Sequence, residues 1–413
     1  MSSGFIPAAG TRFQQALGIS DSADLFAADI QKKAQNEADS AVVQAVAAEI
    51  GPALEWLADC HGLEWLVLTD FLYPGHSVHR MHAVPEKTGA GLMARLSSAV
   101  EAVGIPIVTD AHATTLFVGQ DGIIAGIGIE RPDGTTERIG CGALILACNG
   151  YGGNRDLVRQ HIPRMADALY YGHPGNEGDA VLWGEGLGAA TRHMGACQGH
   201  GSLAHPHGIL ITWALMMEGG IQINAKGERF SNEHRGYSEQ AIDVLRQPGG
   251  IAWDVYDERL HKLGLTFPDY QEADKAGAIL SADTAAALSS RMKVPPAALD
   301  ETLATVEGFH RGEEQDPYGR DFTRKPSLEP PYYAVRVTGA LFHTQGGLAI
   351  DRSARVLRTD GTPFVNFFAG GGAACSVSGS RIEGYLSGNG LLTAIGLGSI
   401  AGRIAATSAG LSG

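Results

Sequence analysis

Residues 143–148 (Ala-Leu-Ile-Leu-Ala-Cys) form an unbroken apolar run that stops at Asn149-Gly150-Tyr151-Gly152-Gly153-Asn154. A short strand that is apolar at every position has both faces buried, as strands of a parallel sheet do. The glycine-rich loop then lies at the strand's C-terminal end, the edge at which open α/β sheets bind ligands. Two further segments share this character: Phe368-Ala369-Gly370-Gly371-Gly372 follows another apolar strand, and Ser387-Gly388-Asn389-Gly390 opens a long apolar helix over 389–409. Glycine makes up 56 of the 413 residues, roughly twice the usual ~7% share. It shows no collagen period, so it marks tight turns and close approach of backbone to a ligand. Free N–H groups at a helix start carry about half a positive charge, enough to hold an anion or an anionic ring edge.

A content of 44% hydrophobic and 18% charged residues excludes a disordered chain. The length suggests two or three domains. A net charge of −14 with a pI near 5.5 argues against nucleic acid or an anionic membrane as partner, while a small anionic substrate remains compatible, since a local site can oppose the global charge. Cys60, Cys141, Cys148, Cys197 and Cys375 are scattered without a C-x-x-C pair. They read as reduced, mostly buried thiols of a cytoplasmic protein rather than a disulfide framework or zinc ribbon. The opening MSSGFIPAAGTRF has no basic stretch followed by an apolar one, so no signal peptide is expected. The stretch 384–403 is interrupted by glycines, Ser387, Asn389 and Thr393, which favours a buried helix over a membrane span.

Helical spacing of apolar residues predicts helices within 12–60, with Asp21 and Ser40 as N-caps, and another over 88–103. A short strand and a polar loop occupy 65–83. Four apolar runs between 105 and 150 read as a β meander, punctuated by Gly-Gln-Asp-Gly and Pro-Asp-Gly turns. Residues 155–325 are richer in His, Trp, Met and charge and read as an inserted α+β domain. Pro326-Ser327-Leu328-Glu329-Pro330-Pro331 reads as a stiff return linker. The expected fold is therefore α/β, with a discontinuous outer domain (1–154 and 326–413) around an inserted one (155–325). No G-x-G-x-x-G follows a strand; Gly396-x-Gly398-x-x-x-Gly402 lies within the last helix and reads as close helix packing.

Several segments, in order and spacing, carry a resemblance. These are Ser3-Gly4-Phe5 with Ala8-Ala9-Gly10-Thr11, Ser77-Val78-x-Arg80-x-His82, the run 143–152, Gly178-Asp179, and Ile223-Asn224-x-x-Gly227-x-Arg229-Phe230-x-Asn232-Glu233. They continue with His343-Thr344-x-Gly346-Gly347-Leu348, Phe368-Ala369-Gly370-Gly371 and Leu386-Ser387-Gly388-Asn389-Gly390. Along nearly its whole length the chain resembles the flavoproteins of the fumarate reductase, succinate dehydrogenase and 3-ketosteroid dehydrogenase type.

The resemblance implies a Rossmann-like FAD-binding outer domain and an inserted domain that caps the substrate. It implies FAD contacts at Ser3, Gly4, Ala147, Asn149, Gly150, Asp179, Gly371, Asn389 and Leu391, with the last helix aimed at the flavin N1/O2 edge. Family members open with a strand, G-x-G-x-x-G and helix that this sequence does not contain, so the outer domain is expected to be N-terminally incomplete.

Two positions depart from the fumarate reductases. The proton-donating arginine four residues after the Asn-Glu pair is Tyr237 here, and the substrate arginine three residues before the Gly-Asn pair is Tyr385. Arginine forks suit carboxylates; a phenol instead donates to a carbonyl or carries a proton. Tyr237 is thus the candidate acid/base and Tyr385 the carbonyl donor, with His343 and Thr344 as a substrate-polarising pair. The resemblance also places His200 against substrate, and Arg80 and His82 as a loop brace. His200, His205 and His207 are alternatively a metal cluster, though no carboxylate completes it. The function expected is an FAD-dependent oxidoreductase interconverting a C–C single and double bond beside a carbonyl, on a small-molecule substrate with an electron partner left open. The alternative, prompted by the missing phosphate loop, is a non-catalytic or truncated homologue acting as a binding module.

Overall fold

The computed structural model describes residues 3–120 and 122–409. Asp121, within the expected Gly-Gln-Asp-Gly turn, lies outside them. Near the N-terminus the chain forms helices Ala23–Lys33 and α1 (Ser40–His61), each begun by a side chain that accepts helix N–H groups: Ser22 for the first and Asp39 for α1. The caps sit one residue away from the expected Asp21 and Ser40, because Asp21 is committed to an ion pair described below. The helix Gly89–Ala102 starts on Thr88. Of the four expected meander runs, three form an antiparallel sheet (His112–Val118, Ile124–Glu130, Thr136–Gly140). Residues 105–111 form no strand, and Ile105, Ile107 and Val108 are exposed. A strand-forming sequence without a neighbouring ladder has nowhere to place its N–H and C=O groups except water.

The run at 143–148 gives β1 (Leu144–Leu146). Next come β2 (Cys197–Ala204), helix α2 (Tyr237–Leu245), β3 (Ile251–Asp257) and the thirteen-residue β4 (Tyr332–Thr344). β4 is the spine of a seven-stranded sheet, flanked by β2 and β3 and paired also with Ile279–Ala282 and Leu169–Tyr170. The proline-rich segment stiffens the approach, but β4 beyond it belongs to the inserted sheet, so the chain returns to the outer body after Thr344. There β5 (Pro363–Ala369) runs parallel to β1, and α3 (Asn389–Ser408) follows.

α1 and α3 are each long and apolar enough to cross a membrane. Here they pack together in the outer core, Val43, Ile50 and Leu54 with Leu392, Leu397 and Ala401, against Phe367 and Phe368 of β5. A second core, built on Trp213, Tyr256, Tyr270, Val335 and Val337, also takes Phe71 and Tyr385 from the outer body. The two bodies therefore share apolar surface.

The loop before residue 83 is braced as expected. The Arg80 guanidinium is buried, forks onto Asp21 at 3.0 Å, reaches Asp29 at 2.7 Å and lies 4.6 Å over the Phe26 ring. His82 bridges Thr11 Oγ1 (2.8 Å) and the Arg80 carbonyl (2.9 Å). His76 Nε2 donates to the Ser387 carbonyl at 2.9 Å, tying this loop to the start of α3.

Arg80→Ala leaves two buried carboxylates without a cation. It is expected to destabilise the fold by about 3–5 kcal/mol, read as a shift of the urea midpoint at unchanged slope. A second prediction concerns pH. Burial holds His76 and His200 neutral down to about 3, and His82, His234 and His343 down to about 4. In the unfolded chain these groups protonate near 6.5, so below that pH the unfolded state binds more protons. Stability should fall as pH drops from 6.5 toward 4, each histidine contributing up to about 1.4 kcal/mol per pH unit. Asp254, which burial raises to about 7, opposes this, as do Glu239 and Asp269, which burial also raises. Unfolding free energies at pH 4.5, 5.5 and 6.5 test the sign, and a flat profile contradicts the burial of these rings.

Candidate active site

The site forms around the start of α3. Gly388 occupies the N-cap position at φ +86°, and no side chain caps the helix there. The left-handed backbone favours glycine. A Cβ there would also lie 2.6 Å from the Pro7 ring. Two phenols take the freed positions: Tyr385, three residues upstream, hydrogen-bonds the backbone of Gly388 and Gly390, and Tyr237, the first residue of α2, that of Gly388. The two hydroxyls also bond each other, and Tyr237 bonds the Ser387 side chain. Burial pushes Tyr237 up to about 12 against those hydrogen bonds, and raises Tyr385 further. His343, on β4, sets its ring edge-on to Tyr385 at 5.7 Å, with Nδ1 2.9 Å from Gln345 Nε2. A Cβ on Gly390 would come within 2.7 Å of His343 Nε2, so glycine is required for the helix start to pass this ring.

The opposite wall comes from the seven-stranded sheet. His200 of β2 is stacked between Tyr237 (4.8 Å) and Phe342 (5.3 Å) and meets Trp213 edge-on at 5.7 Å. Ser202 N donates to His200 Nδ1 at 3.1 Å, so in the neutral ring Nε2 carries the proton. Side chains alternate along β4, so Phe342 faces His200 while His343 faces Tyr385. The outer body adds Phe71, Tyr73 and Phe5. Tyr73 lies 4.3 Å from Phe71, and Phe71 meets Phe267 at 6.1 Å. Tyr73 is partly buried, and desolvation, with the nearby Tyr237, raises it. Sequence reasoning missed Tyr73, Trp213 and Phe342. The signal for Tyr73 was Phe71-Leu72-Tyr73, three apolar or aromatic residues inside a loop read as polar.

The three glycine-rich segments do converge. A Cβ on Gly150 would lie 1.9 Å from Thr344 Oγ1, and one on Gly372 would lie 2.0 Å from Asn149 Oδ1. The ends of β1, β4 and β5 thus meet beside α3. Thr344 Oγ1 accepts from Tyr151 N at 3.2 Å, so it serves the strand junction. Ala147 is exposed and Asn149, Gly371, Gly390 and Leu391 are partly so, giving an open surface poor in bulky side chains. Asn389 is fully buried; its Nδ2 donates to Ser378 Oγ at 3.0 Å and its Oδ1 has no partner. An uncapped helix start, an orphaned amide oxygen and this open surface fit the edge of a flavin, which offers both N–H and C=O groups. Ala147, Asn149, Gly371 and Leu391 line this surface, with Gly150 and Asn389 buried beside it. Asp179 begins the helix Asp179–Gly186, on the Cys148 side of this junction. Gly4 packs on Thr88, whose carbonyl oxygen a Cβ there would meet at 2.8 Å; Ser3 beside it is half-buried.

His205 and His207 lie in the turn after β2 while His200 is buried within the strand. Among the described residues no three metal-ligating side chains converge.

A family model described as "FAD binding domain" matches residues 1–391. A probable fumarate reductase of Shewanella frigidimarina is 27% identical, over 99% of this chain and 68% of its own length. A 4-oxocyclohexanecarboxylate 2-dehydrogenase of Sinomonas cyclohexanicum is 29% identical, over 78% of this chain and 62% of its own. Among solved structures, the open conformation of a flavocytochrome c3 fumarate reductase superposes with a TM-score of 0.80 at 26% identity, over 99% of this chain and 71% of that one. The chain belongs to the FAD binding domain family, and FAD is its cofactor.

Proposed function

We propose that the chain is an FAD-dependent oxidoreductase that interconverts a C–C single and double bond next to a carbonyl, and that its substrate is a neutral or weakly charged cyclic ketone rather than a dicarboxylate. The observation that carries this reading is the pair of buried phenols, Tyr237 and Tyr385, at the uncapped start of α3. The relatives support the bond class, one being named for fumarate and one for an oxocyclohexane, both with an unsaturation or C–H bond activated by an adjacent carbonyl; the second supports the cyclic ketone. The aromatic walls (Phe71, Tyr73, Trp213, Phe342) favour the ring, and the two phenols present no guanidinium fork for a carboxylate.

When bound, FAD supplies the hydride acceptor or donor. The chain's own part is proton chemistry and positioning. The Tyr385 hydroxyl and the N–H groups at the start of α3 donate to the substrate carbonyl oxygen, which acidifies the neighbouring C–H. Tyr237 carries the proton at its phenolic oxygen, where hydrogen bonds from Ser387 and Gly388 favour the phenolate that burial opposes. His200 offers Nε2–H from the opposite wall, and the packed aromatics exclude water.

The five free cysteines support a reducing, cytoplasmic setting. We read the inserted β4 sheet as the substrate cap and the outer body as the FAD-binding part. No observation favours the alternative of a non-catalytic module.

The test is turnover of 4-oxocyclohexanecarboxylate and of succinate by the FAD-loaded protein with an artificial electron acceptor. The ketone should be preferred. Tyr237→Phe should lower kcat by about 100-fold or more, with flavin absorbance kept, and Tyr385→Phe should lower kcat/KM. Preference for succinate, or a protein that stays colourless after incubation with FAD, overturns the reading.

A further inference from the structure

Behind the stacked His200 and Tyr237 rings, the seven-stranded sheet buries a polar cluster. Asp254, in the middle of β3, is fully buried, and among the described residues it forms no ion pair. Its Oδ2 accepts from Ser202 Oγ, and its Oδ1 accepts from Gln222 Nε2 at 2.7 Å. Gln222 Nε2 also reaches the Gly201 carbonyl at 3.0 Å, and Gln222 Oε1 accepts from Gln240 Nε2 at 2.8 Å. Gln240 in turn reaches Ser231 Oγ at 2.5 Å. Around this cluster lie Glu233, itself paired with Arg229 (2.7 Å) and Arg320 (3.0 Å), and the phenols of Tyr256 and Tyr270.

The cluster has two ends that matter. Ser202 stands two residues after His200, where the pairing of β2 with β4 slips between His200 and Leu203. An irregularity of this kind re-aims the side chains beside it and needs bonds other than the ladder to hold it. Ser202 contributes one such bond from its hydroxyl to Asp254, while its backbone N–H fixes His200 Nδ1. At the other end Gln240 lies three residues after Tyr237, about one turn along α2. An apolar residue would pack the centre of β3 at lower desolvation cost, so sheet stability does not account for a carboxyl here.

We infer that Asp254 is a positioning residue: through Ser202 on one side and Gln222–Gln240 on the other, it fixes the His200 ring and the start of α2 relative to each other. The roles of His200 and Tyr237 rest on the proposed function; the linkage itself does not. Burial raises Asp254 to about 7, so near neutral pH the protonated carboxyl is well populated and, like an amide, both donates and accepts. Asp254→Asn can therefore keep both contacts, whereas Asp254→Leu, of similar volume, loses both.

The test combines the nitrogen resonances of His200 in histidine-labelled protein, assigned by their loss in His200→Asn, with turnover of 4-oxocyclohexanecarboxylate. Wild type and Asp254→Asn should both show the neutral ring protonated on Nε2, with kcat within about twofold of each other. Asp254→Leu and Ser202→Ala should shift the resonances toward mixed tautomers and lower kcat about tenfold or more, with KM little changed and flavin absorbance retained. Unchanged resonances and kcat in both Asp254→Leu and Ser202→Ala overturn the inference, as does Asp254→Asn failing as badly as Asp254→Leu. Should Asp254→Leu not fold, Ser202→Ala decides. The resonances need neither flavin nor substrate, so an inactive wild type would sink the proposed function while leaving this assignment standing or falling on its own.

Discussion

The start of α3 is the point on which the rest turns. A twenty-residue helix brings about half a positive charge to its first turn, carried by N–H groups with no partner inside the helix. Gly388 supplies no capping side chain, so those groups must be satisfied from elsewhere, and the phenols of Tyr385 and Tyr237 bond the backbone there. Other contacts hold the turn in place: His76 donates to the Ser387 carbonyl, and Asn389 donates to Ser378, which itself bonds Gln345 Oε1 at 2.7 Å. The helix start is thereby both rigid and chemically committed to accepting groups.

That commitment explains why phenols suit this place. A guanidinium beside a helix N-terminus meets like charge and is tolerable only when an anionic ligand neutralises both. A phenol accepts from the helix N–H with its oxygen while keeping its own proton to donate onward. The hydrogen bonds are then satisfied internally, Tyr237 to Tyr385 to the backbone, and a substrate carbonyl would take over a hydrogen bond that already exists. Such an exchange favours neutral acceptors over dianions, since nothing in this arrangement supplies the counter-charge a second carboxylate needs.

Much of this was legible in the sequence, and the exceptions have physical causes. The apolar run at 143–148, the glycine segments and the helix at 389 were readable because strand-end glycines and helix starts carry local signals. The convergence of Asn149-Gly150, Thr344 and Gly371-Gly372 followed from their order. Residues 105–111 have strand composition but no partner, and composition cannot report a missing partner. Proline punctuates only locally, whereas β4 is assigned to its sheet by pairing with β2 and β3, over 70 residues away in sequence. Trp213 and Phe342 were missed for the same reason: their meeting with His200 depends on that long-range pairing.

The buried charges divide by purpose. Arg80 with Asp21 and Asp29, and Glu233 with Arg229 and Arg320, are each satisfied by several charge-assisted bonds. Removing one partner would strand the others, so these clusters lock a single geometry into the loop before residue 83 and the loop before α2. Asp254 has only neutral partners, and its ionised form is the disfavoured one. A fold that pairs buried carboxylates such as Asp29, Glu233 and Glu239 with arginine or lysine, yet gives this one only Ser202 and Gln222, is using it as a hydrogen-bonding joint rather than as a partner in an ion pair. The joint sits where a slipped strand pairing and a helix start must agree to within the tolerance of a stacked His200–Tyr237 pair.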